Sequence, residues 1–365
     1  MRIEINGIEY DNFTSSSVEV RLDALCRIFT FTAAVATGEK FPFSEGDPCR
    51  ILVAGELVLT GHIEVLDFSF TGDTHSVLIE GRDNTGDLVD SSLSSLSDIR
   101  APISLKSLIE KVIKHIGASI KVIDEANPDP FNASEDVSAP EPGDGAYQFI
   151  EEHARKRNVL LTSNADGDLV ITRGSGLESA GALQNVLGAT DNNVLTGGMT
   201  YDQTGRYNTY RFASTLNPLT LFSAGGSTSE IVKQGARATD SEIRPGRQMA
   251  LVSEGPYSSK QNRDRAAWEA NVRKARGRVG GFTVQGHRTE GLTGDLWAVN
   301  TLVPVIADFL RLNDQMLIHA INFRLSAEEG RQTVIGVVEK NAYSLILDEP
   351  VKPTGGIGKS ALNIF

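Results

Sequence analysis

Six histidines and two cysteines are the side chains of this 365-residue sequence best suited to hold a metal or move a proton, and their spacing argues against both roles. His62, His75, His115, His153, His287 and His319 include no pair at helical i, i+4 spacing and no His-Glu-x-x-His, so a helix-borne zinc site has no support. Cys26 and Cys49 lack Cys-x-x-Cys spacing. Each falls in a strand-like segment, and the N-terminus MRIEINGIEY has no basic region followed by an apolar core, so free thiols are expected rather than a disulfide. No Gly-x-Ser-x-Gly elbow occurs, which leaves serine hydrolysis without local support. Gly355-Gly356-Ile357-Gly358-Lys359-Ser360 resembles the end of a phosphate-binding loop. However, Pro353 stands where the motif needs glycine, and the chain after Ser360 is too short for the required helix. Asp83, Asp87 and Asp90 could surround a cation, but they follow a strand and flank Leu88-Val89, which points to turn and cap roles. The pair Glu151-Glu152 lies on a solvated helix face beside no nucleophile. The reading therefore assigns no catalytic, cofactor-binding or metal-binding residue.

The remaining feature with chemical character is a basic helix expected over 258–278, with seven basic and two acidic residues. Arg263, Arg265, Arg273, Lys274, Arg276 and Arg278 spread around it, and Trp268, Val272 and Ala275 make a narrow apolar stripe. On a chain with 35 Lys and Arg against 47 Asp and Glu, net −12, such a helix is expected to face an acidic neighbour or another subunit rather than phosphate. Trp268, Arg273 and Arg276 are the candidate subunit-interface residues, Trp268 as anchor and the arginines at the rim. If Trp268 packs inside its own subunit instead, its loss destabilises the single chain.

These residues sit on a repeated frame. Leu57 to Asp90 reads as strand, turn and returning strand: Ile63 and Val65 alternate with polar neighbours, and the phase then slips to Leu66, Phe68 and Phe70. A β-bulge near Val65 accounts for the slip. Thr71-Gly72-Asp73 supplies the turn, and Val77 and Ile79 line one face of the return. Met316 to Ile346 repeats this shape, with Ile321 and Phe323 set against Ile63 and Val65, a turn at Ala327-Glu328-Glu329-Gly330, and Ile335 and Val337 set against Val77 and Ile79. A shorter apolar strand precedes each hairpin, at Ile51 to Val53 and Val303 to Ile306, and the shared order argues for duplication.

Along the chain, Asn6-Gly7 marks a hairpin between Ile3, Ile5 and Ile8, Tyr10, and Val18 to Val20 and Cys26 to Ala34 add strands. Pro102-Ile103-Ser104 opens a helix capped by Ser104, with Leu105, Leu108, Ile109, Val112, Ile113 and Ile116 on one stripe and Gly117 as its stop. Ser119 to Ile123 reads as a short strand and Asn127 to Gly145 as a long loop. A second helix follows, capped by Asp144, and then a hairpin around Asp166-Gly167. Gly174 to Gly188 reads as a linker. The segments from Asn193 to Tyr201 and from Tyr207 to Ser214 resume β-structure, Leu216 to Gln234 has little periodicity, and Gly280-Gly281 is expected to end the basic helix. The fold class is α+β, mainly β: two related small β-barrels with an inserted α+β module. Its parts are a first barrel over 1–95, the module over 96–175, a second barrel over 190–350 and a flexible tail over 351–365. No apolar run approaches the length of a membrane span.

The run Val18 to Ala34, the segment Gly61 to Phe70, and Leu78-Ile79-Glu80-Gly81-Arg82-Asp83 to Asp87-Leu88-Val89-Asp90 resemble the first domain of the central baseplate hub proteins of Mu-type contractile-tailed phages. Ala146 to Ile150, Arg157 to Thr162 and Asp166 to Ile171 look like that family's helix-plus-hairpin module, and Leu296-Trp297 to Phe323 its second barrel. Thr215 to Gly255 matches least. The resemblance implies a structural, non-enzymatic virion protein of the tail baseplate, assembled in the host cytoplasm, similar in plan to the T-even phage hub and the base of the type VI secretion spike. It implies a homotrimer whose six barrels match a hexameric tail tube on one side and a trimeric spike protein on the other. Contacts with other baseplate proteins and transient passage of DNA through the channel are also implied, with no cofactor and no membrane. The acidic balance suits such a channel, because a wall that grips phosphates slows passage. Two other classes stay open: a virion glycan-binding or cell-wall-degrading β-protein, which needs an acid pair or aromatic groove, and a DNA-binding adaptor working through 258–278.

Overall fold

A computed structural model describes residues 1–35, 41–94, 96, 99–133, 137, 139–174, 176–179, 181–213, 235–252 and 259–345. The chain is mainly β with few helices, as the apolar alternation requires, and most strands join one large sheet. Among the described residues no helix is long and apolar enough to cross a membrane. The expected tail over 351–365, with Gly355 to Ser360, and the segment Leu216 to Gln234 lie outside the described residues.

Two strand groups share one order. In the first, Ser15–Arg21 pairs with Ile28–Ala34, which pairs with His75–Asp83, then Glu56–Phe70, then Pro48–Val53. In the second, Val194–Tyr201 pairs with Arg278–Gln285, which pairs with Gly330–Glu339, then Leu312–Ser326, then Thr301–Ala307. The bulge expected near Val65 lies between Ile63 and Val65. A second bulge lies between Ile318 and Ala320. Aligning the bulges sets Ile63 against Ile318 and Leu66 against Ile321, whereas the apolar pattern alone sets Ile63 against Ile321. Periodicity fixes the phase of a strand to within its repeat, and only the bulge fixes the register. On this alignment the cross-strand pair Phe31–Ile79 answers to Phe282–Ile335, and all four side chains are buried. One rung further, Phe29 faces Gly81 in the first group while Gly280 faces Val337 in the second, so large and small exchange sides. A Cβ on Gly81 would come within 2.5 Å of the Phe29 ring.

The two groups join inside the chain. Beyond its bulge, the strand Leu312–Ser326 hands its free edge to the first group, pairing Ala320 with Arg21, Phe323 with Val18 and Ser326 with Ser15. The seam is dry on its inner face, where Val18, Val20, Ile321 and Phe323 are buried in a core common to both groups.

Local signals explain the rest. The Asn6-Gly7 turn has both residues at positive φ, as a tight hairpin between right-twisted strands requires. Helix Leu105–Ile116 starts at Ser104, whose hydroxyl accepts from the Ser107 amide, and ends at left-handed Gly117. Helix Ala146–Lys156 starts at Gly145 without a side-chain cap. The expected capping residue Asp144 instead accepts from the Glu141 amide, closing the preceding turn. These helices cover a small sheet of Val122–Asp124, Leu160–Ser163 and Leu169–Thr172. Leu88 and Leu93, N-terminal to the module's expected start, are buried in the same core. The expected linker over 174–188 carries two short strands, Leu177–Glu178 and Leu183–Asn185, parallel to Thr301–Ala307. The basic helix spans Ser259–Arg276, and Gly280 and Gly281 lie within the strand that follows rather than ending the helix. Gly280 there leaves room for Met199 and Val337 across the sheet, a role that a stop signal in sequence does not distinguish. A second small sheet, Thr209–Ala213 between Gly235–Thr239 and Gln248–Val252, lies against this helix.

Candidate functional site

Three polar locks and two long open sheet edges carry what this molecule can do. The first lock joins the first strand group to the inserted module. Arg27 donates to the carbonyls of Val58 at 2.6 Å and Ser163 at 2.8 Å. Asp83, 3% exposed, accepts from the Arg27 amide at 2.9 Å, from the Thr85 amide at 3.0 Å, and from the Ser163 hydroxyl. Burial pushes the Asp83 carboxyl up despite these donors and pulls Arg27 down to about 10. The carboxylate's partners are thus all protein donors. Asp87 is exposed in the first turn of helix Gly86–Asp90, and Asp90 pairs with Arg82, which also grips Glu64 at 2.7 Å. The three aspartates therefore diverge into turn, helix and ion-pair roles. Among the described residues no group of His, Cys, Asp and Glu could hold a metal ion.

The second lock is Arg173, which donates to the carbonyls of Asn158, Ala126 and Arg157 at 2.9–3.0 Å while its own carbonyl accepts from Asn300 at 2.9 Å. This ties the second strand group to the module. The third lock seats the basic helix. Arg206, 3% exposed, pairs with Asp240 at 2.8 Å and Glu242 at 2.7 Å. Glu242 also meets Lys274 at 3.2 Å and Arg278 at 2.9 Å, and Arg278 reaches Glu339 at 2.8 Å. Arg265 and Arg273 pair with Glu269 on the helix itself, and Lys260 meets Asp129 at 2.6 Å. Lys260, Arg265, Arg273 and Lys274 of the helix thus face acids of the same chain. Of the candidate interface residues, Trp268 is buried beside Tyr343, Leu22, Val272, Leu317 and Val338. Arg273 is partly exposed and Arg276 exposed. The structure packs Trp268 inside its own subunit.

The histidines are dispersed. His115 bonds Ser94, His153 the Phe149 carbonyl, and His287 the Thr333 hydroxyl. Burial pulls His287 down to about 4, leaving it neutral. Both thiols are free; burial pushes Cys49 up to about 12 and Cys26 up to about 11, where neither is a nucleophile. Glu151 and Glu152 pair with Arg155 and Lys156 one turn on, as a solvated face does.

Several edges of the large sheet stay open among the described residues, and two of them are long. One is the outer side of Val65–Phe70, where Val65, Phe68 and Phe70 are 45%, 59% and 80% exposed. The other is the outer side of Val194–Tyr201, with Leu195 and Tyr201 each 51% exposed. Sequence reading missed both as sites, although the alternation of apolar residues past the bulge was visible in Leu66, Phe68 and Phe70.

Three family profiles match the chain in order. They are the N-terminal domain of the Mu phage baseplate assembly protein GpP-like family over 1–83, the second domain of the baseplate hub protein gp44-like family over 85–173, and the fourth domain of GpP over 258–346. The baseplate hub protein gp44 of Escherichia phage Mu is 22% identical over 97% of this chain and 91% of its own length. Among solved structures, the 43 kDa tail protein of prophage MuSo2 from Shewanella oneidensis superposes with TM-score 0.75 at 28% identity, covering 94% of this chain and 98% of that one. An E. coli component of the type VI secretion system, described as similar to the T4 tail proteins gp27 and gp5, gives 0.55 at 10% identity, covering 93% of this chain and 77% of that one. Matched domain by domain and in the same order, the chain belongs to the Mu-type baseplate hub family, a structural component of the phage tail.

Proposed function

We propose that three copies of this chain close into a ring that joins a hexameric tail tube to a trimeric spike. Within the chain, two strand groups of one order are already joined edge to edge, which is the observation that carries the reading. Three such chains present six similar segments to a sixfold partner while keeping a true threefold axis for a trimeric one. In this reading each strand group, at 1–95 and 190–350, curls into a small barrel, the module over 96–175 stands outside, other baseplate proteins dock around it, and DNA passes through the opening. The net charge of −12 favours passage over retention. The protein works by assembly rather than catalysis, takes no cofactor, and is built into the virion from the host cytoplasm. A DNA-adaptor role loses part of its support, because Lys260, Arg265, Arg273 and Lys274 of the basic helix already face Asp129, Glu269, Glu242 and Glu339 of the same chain.

Light scattering after size exclusion tests the ring on the unmutated protein. A mass three times that of the chain, with ring-shaped particles in negative-stain images, is expected. A monomer at micromolar concentration refutes it.

A further inference from the structure

The chain contains its own template for the seam between copies. Each strand group has a long strand with a bulge, and in the second group the half beyond the bulge, Ala320–Ser326, is sealed by Ser15–Arg21. In the first group the corresponding half, Val65–Phe70, has no strand on that side among the described residues. The strand that corresponds to Ser15–Arg21 is Val194–Tyr201, and its outer edge is equally open. One chain thus carries one closed seam and the two unmatched halves of a second.

Side-chain burial marks the open halves as incomplete. Phe323 is 2% exposed because Val18 lies across from it, whereas Phe68 at the corresponding position is 59% exposed. Leu66, Phe68 and Phe70 point to the side that Ile321, Phe323 and Leu325 occupy in the closed seam. Exposed apolar side chains on an unpaired edge are a standing invitation to another strand, and proteins that leave such an edge bare aggregate. These observations name the occupant, since the one strand built to fill such a position is the counterpart of Ser15–Arg21.

We infer that Val65–Phe70 of one copy pairs antiparallel with Val194–Tyr201 of the next, in a register set by the seam inside the chain. The register follows by carrying each pair of the closed seam through the two strand correspondences. Ladder steps through the first group link Ser17 to Thr30, Glu80 and Val65, and through the second link Gly198 to Gly281, Gly336 and Ala320. Ser17 therefore answers to Gly198, and Val65 to Ala320. The pair Phe323–Val18 becomes Phe68 against Met199 of the next copy. Leu66 then faces Tyr201, Asp67 faces Thr200, Ser69 faces Gly198 and Phe70 faces Gly197. No like charges oppose one another, and apolar residues meet on the inner face. Because the two edges differ, the contact is head to tail, and it closes a ring only at a rotation that returns to the start. The inference rests on the ring reading above and adds which edges seal it and at which residues.

Paired cysteines test the register. Ser69→Cys with Gly198→Cys, both on the outer face, should form a disulfide between copies under mild oxidation and give a covalent ladder ending at three chains. Ser69→Cys with Thr200→Cys, two residues out of register, should crosslink at least tenfold more slowly. Gly198 has open space where a side chain would enter, so the first pair should fold. As a second measurement, Phe68→Asp should drop the solution mass threefold while leaving the subunit folded with a small fall in melting temperature, since Phe68 is mostly exposed in the single chain and meets the Phe41 ring there. A trimer that survives Phe68→Asp, or equal crosslinking in both registers, overturns the seam and spares the ring. A monomeric unmutated protein overturns the ring and the seam with it.

Discussion

Replacing Trp268 by Ala separates a subunit-stabilising residue from an interface anchor. Trp268 is 7% exposed and its ring centroid lies 6.3 Å from that of Tyr343, with Leu22, Val272, Leu317 and Val338 completing the cluster. A buried indole removes roughly 200 Å² from water, worth about 5 kcal/mol at ~25 cal/mol per Å². Alanine retains a little of this and the pocket relaxes only in part, so the expected loss is about 3–5 kcal/mol. The cluster spans the basic helix, the second strand group and Leu22 at the end of the seam, so the loss should appear in the main unfolding transition. Urea unfolding followed by far-UV circular dichroism reads it without relying on the missing fluorophore. Arg276→Ala, on an exposed side chain, should shift stability by no more than ~0.5 kcal/mol. Arg273→Ala should be similarly mild, because its 3.5 Å pair with Glu269 is partly solvated. If Trp268→Ala leaves the urea midpoint in place yet reduces a trimer to monomers, the indole faces another copy rather than its own core.

Other expectations are simpler to state. His287 is neutral when folded and depressed from 6.5 to about 4, so the unfolded chain takes up its proton first. Stability should hold above about pH 6.5 and fall by ~3 kcal/mol as pH drops toward 4. His287→Gln should flatten that slope without abolishing it, since burial also lowers His153 and His319; an unchanged pH profile for the variant would reject the assignment. Arg27→Met strips two carbonyls of their donor inside the first lock and should cost about 3 kcal/mol. Limited proteolysis should then cut between Asp83 and the module faster, and an unchanged digestion pattern would count against the lock. Gly61→Ala would set a Cβ 1.9 Å from the Arg82 carbonyl oxygen, forcing the long hairpin apart. A drop of about 3 kcal/mol is expected, and a thermal melt like that of the unmutated protein would contradict the strand geometry.

Much of this architecture was legible because short-range signals coincide with long-range needs. The Asn6-Gly7 turn, the Ser104 cap, the Gly117 stop and the phase slip at Val65 each name a local conformation that the sheet then uses. Register was not legible. Ile63 and Ile321 look equivalent by pattern, and only the bulge between Ile318 and Ala320 shows that Ile318 is the true counterpart. Nor could sequence say where the basic helix spends its charge, since Asp129, Glu242 and Glu339 lie far from it along the chain. The two glycines read as a helix stop belong to a strand, where Gly280 leaves room for Met199 and Val337 across the sheet. The open edges escaped notice for a related reason: alternation reveals which face of a strand is apolar, and it is silent on which side of the strand lacks a partner.

The exchange of bulk between Phe29–Gly81 and Gly280–Val337 bears on how a chain with two copies of one strand order avoids confusing them while it folds. Strand Ile28–Ala34 could in principle align with Gly330–Glu339, and Arg278–Gln285 with His75–Asp83, because both swaps preserve the ladder. The first swap would press Phe29 against Val337, and the second would leave Gly280 facing Gly81 across a hole. Overfilling and emptiness each carry a penalty of a few kcal/mol, and a swapped chain incurs both at once. A single rung thus penalises any exchange of partners between halves whose outward plan is the same.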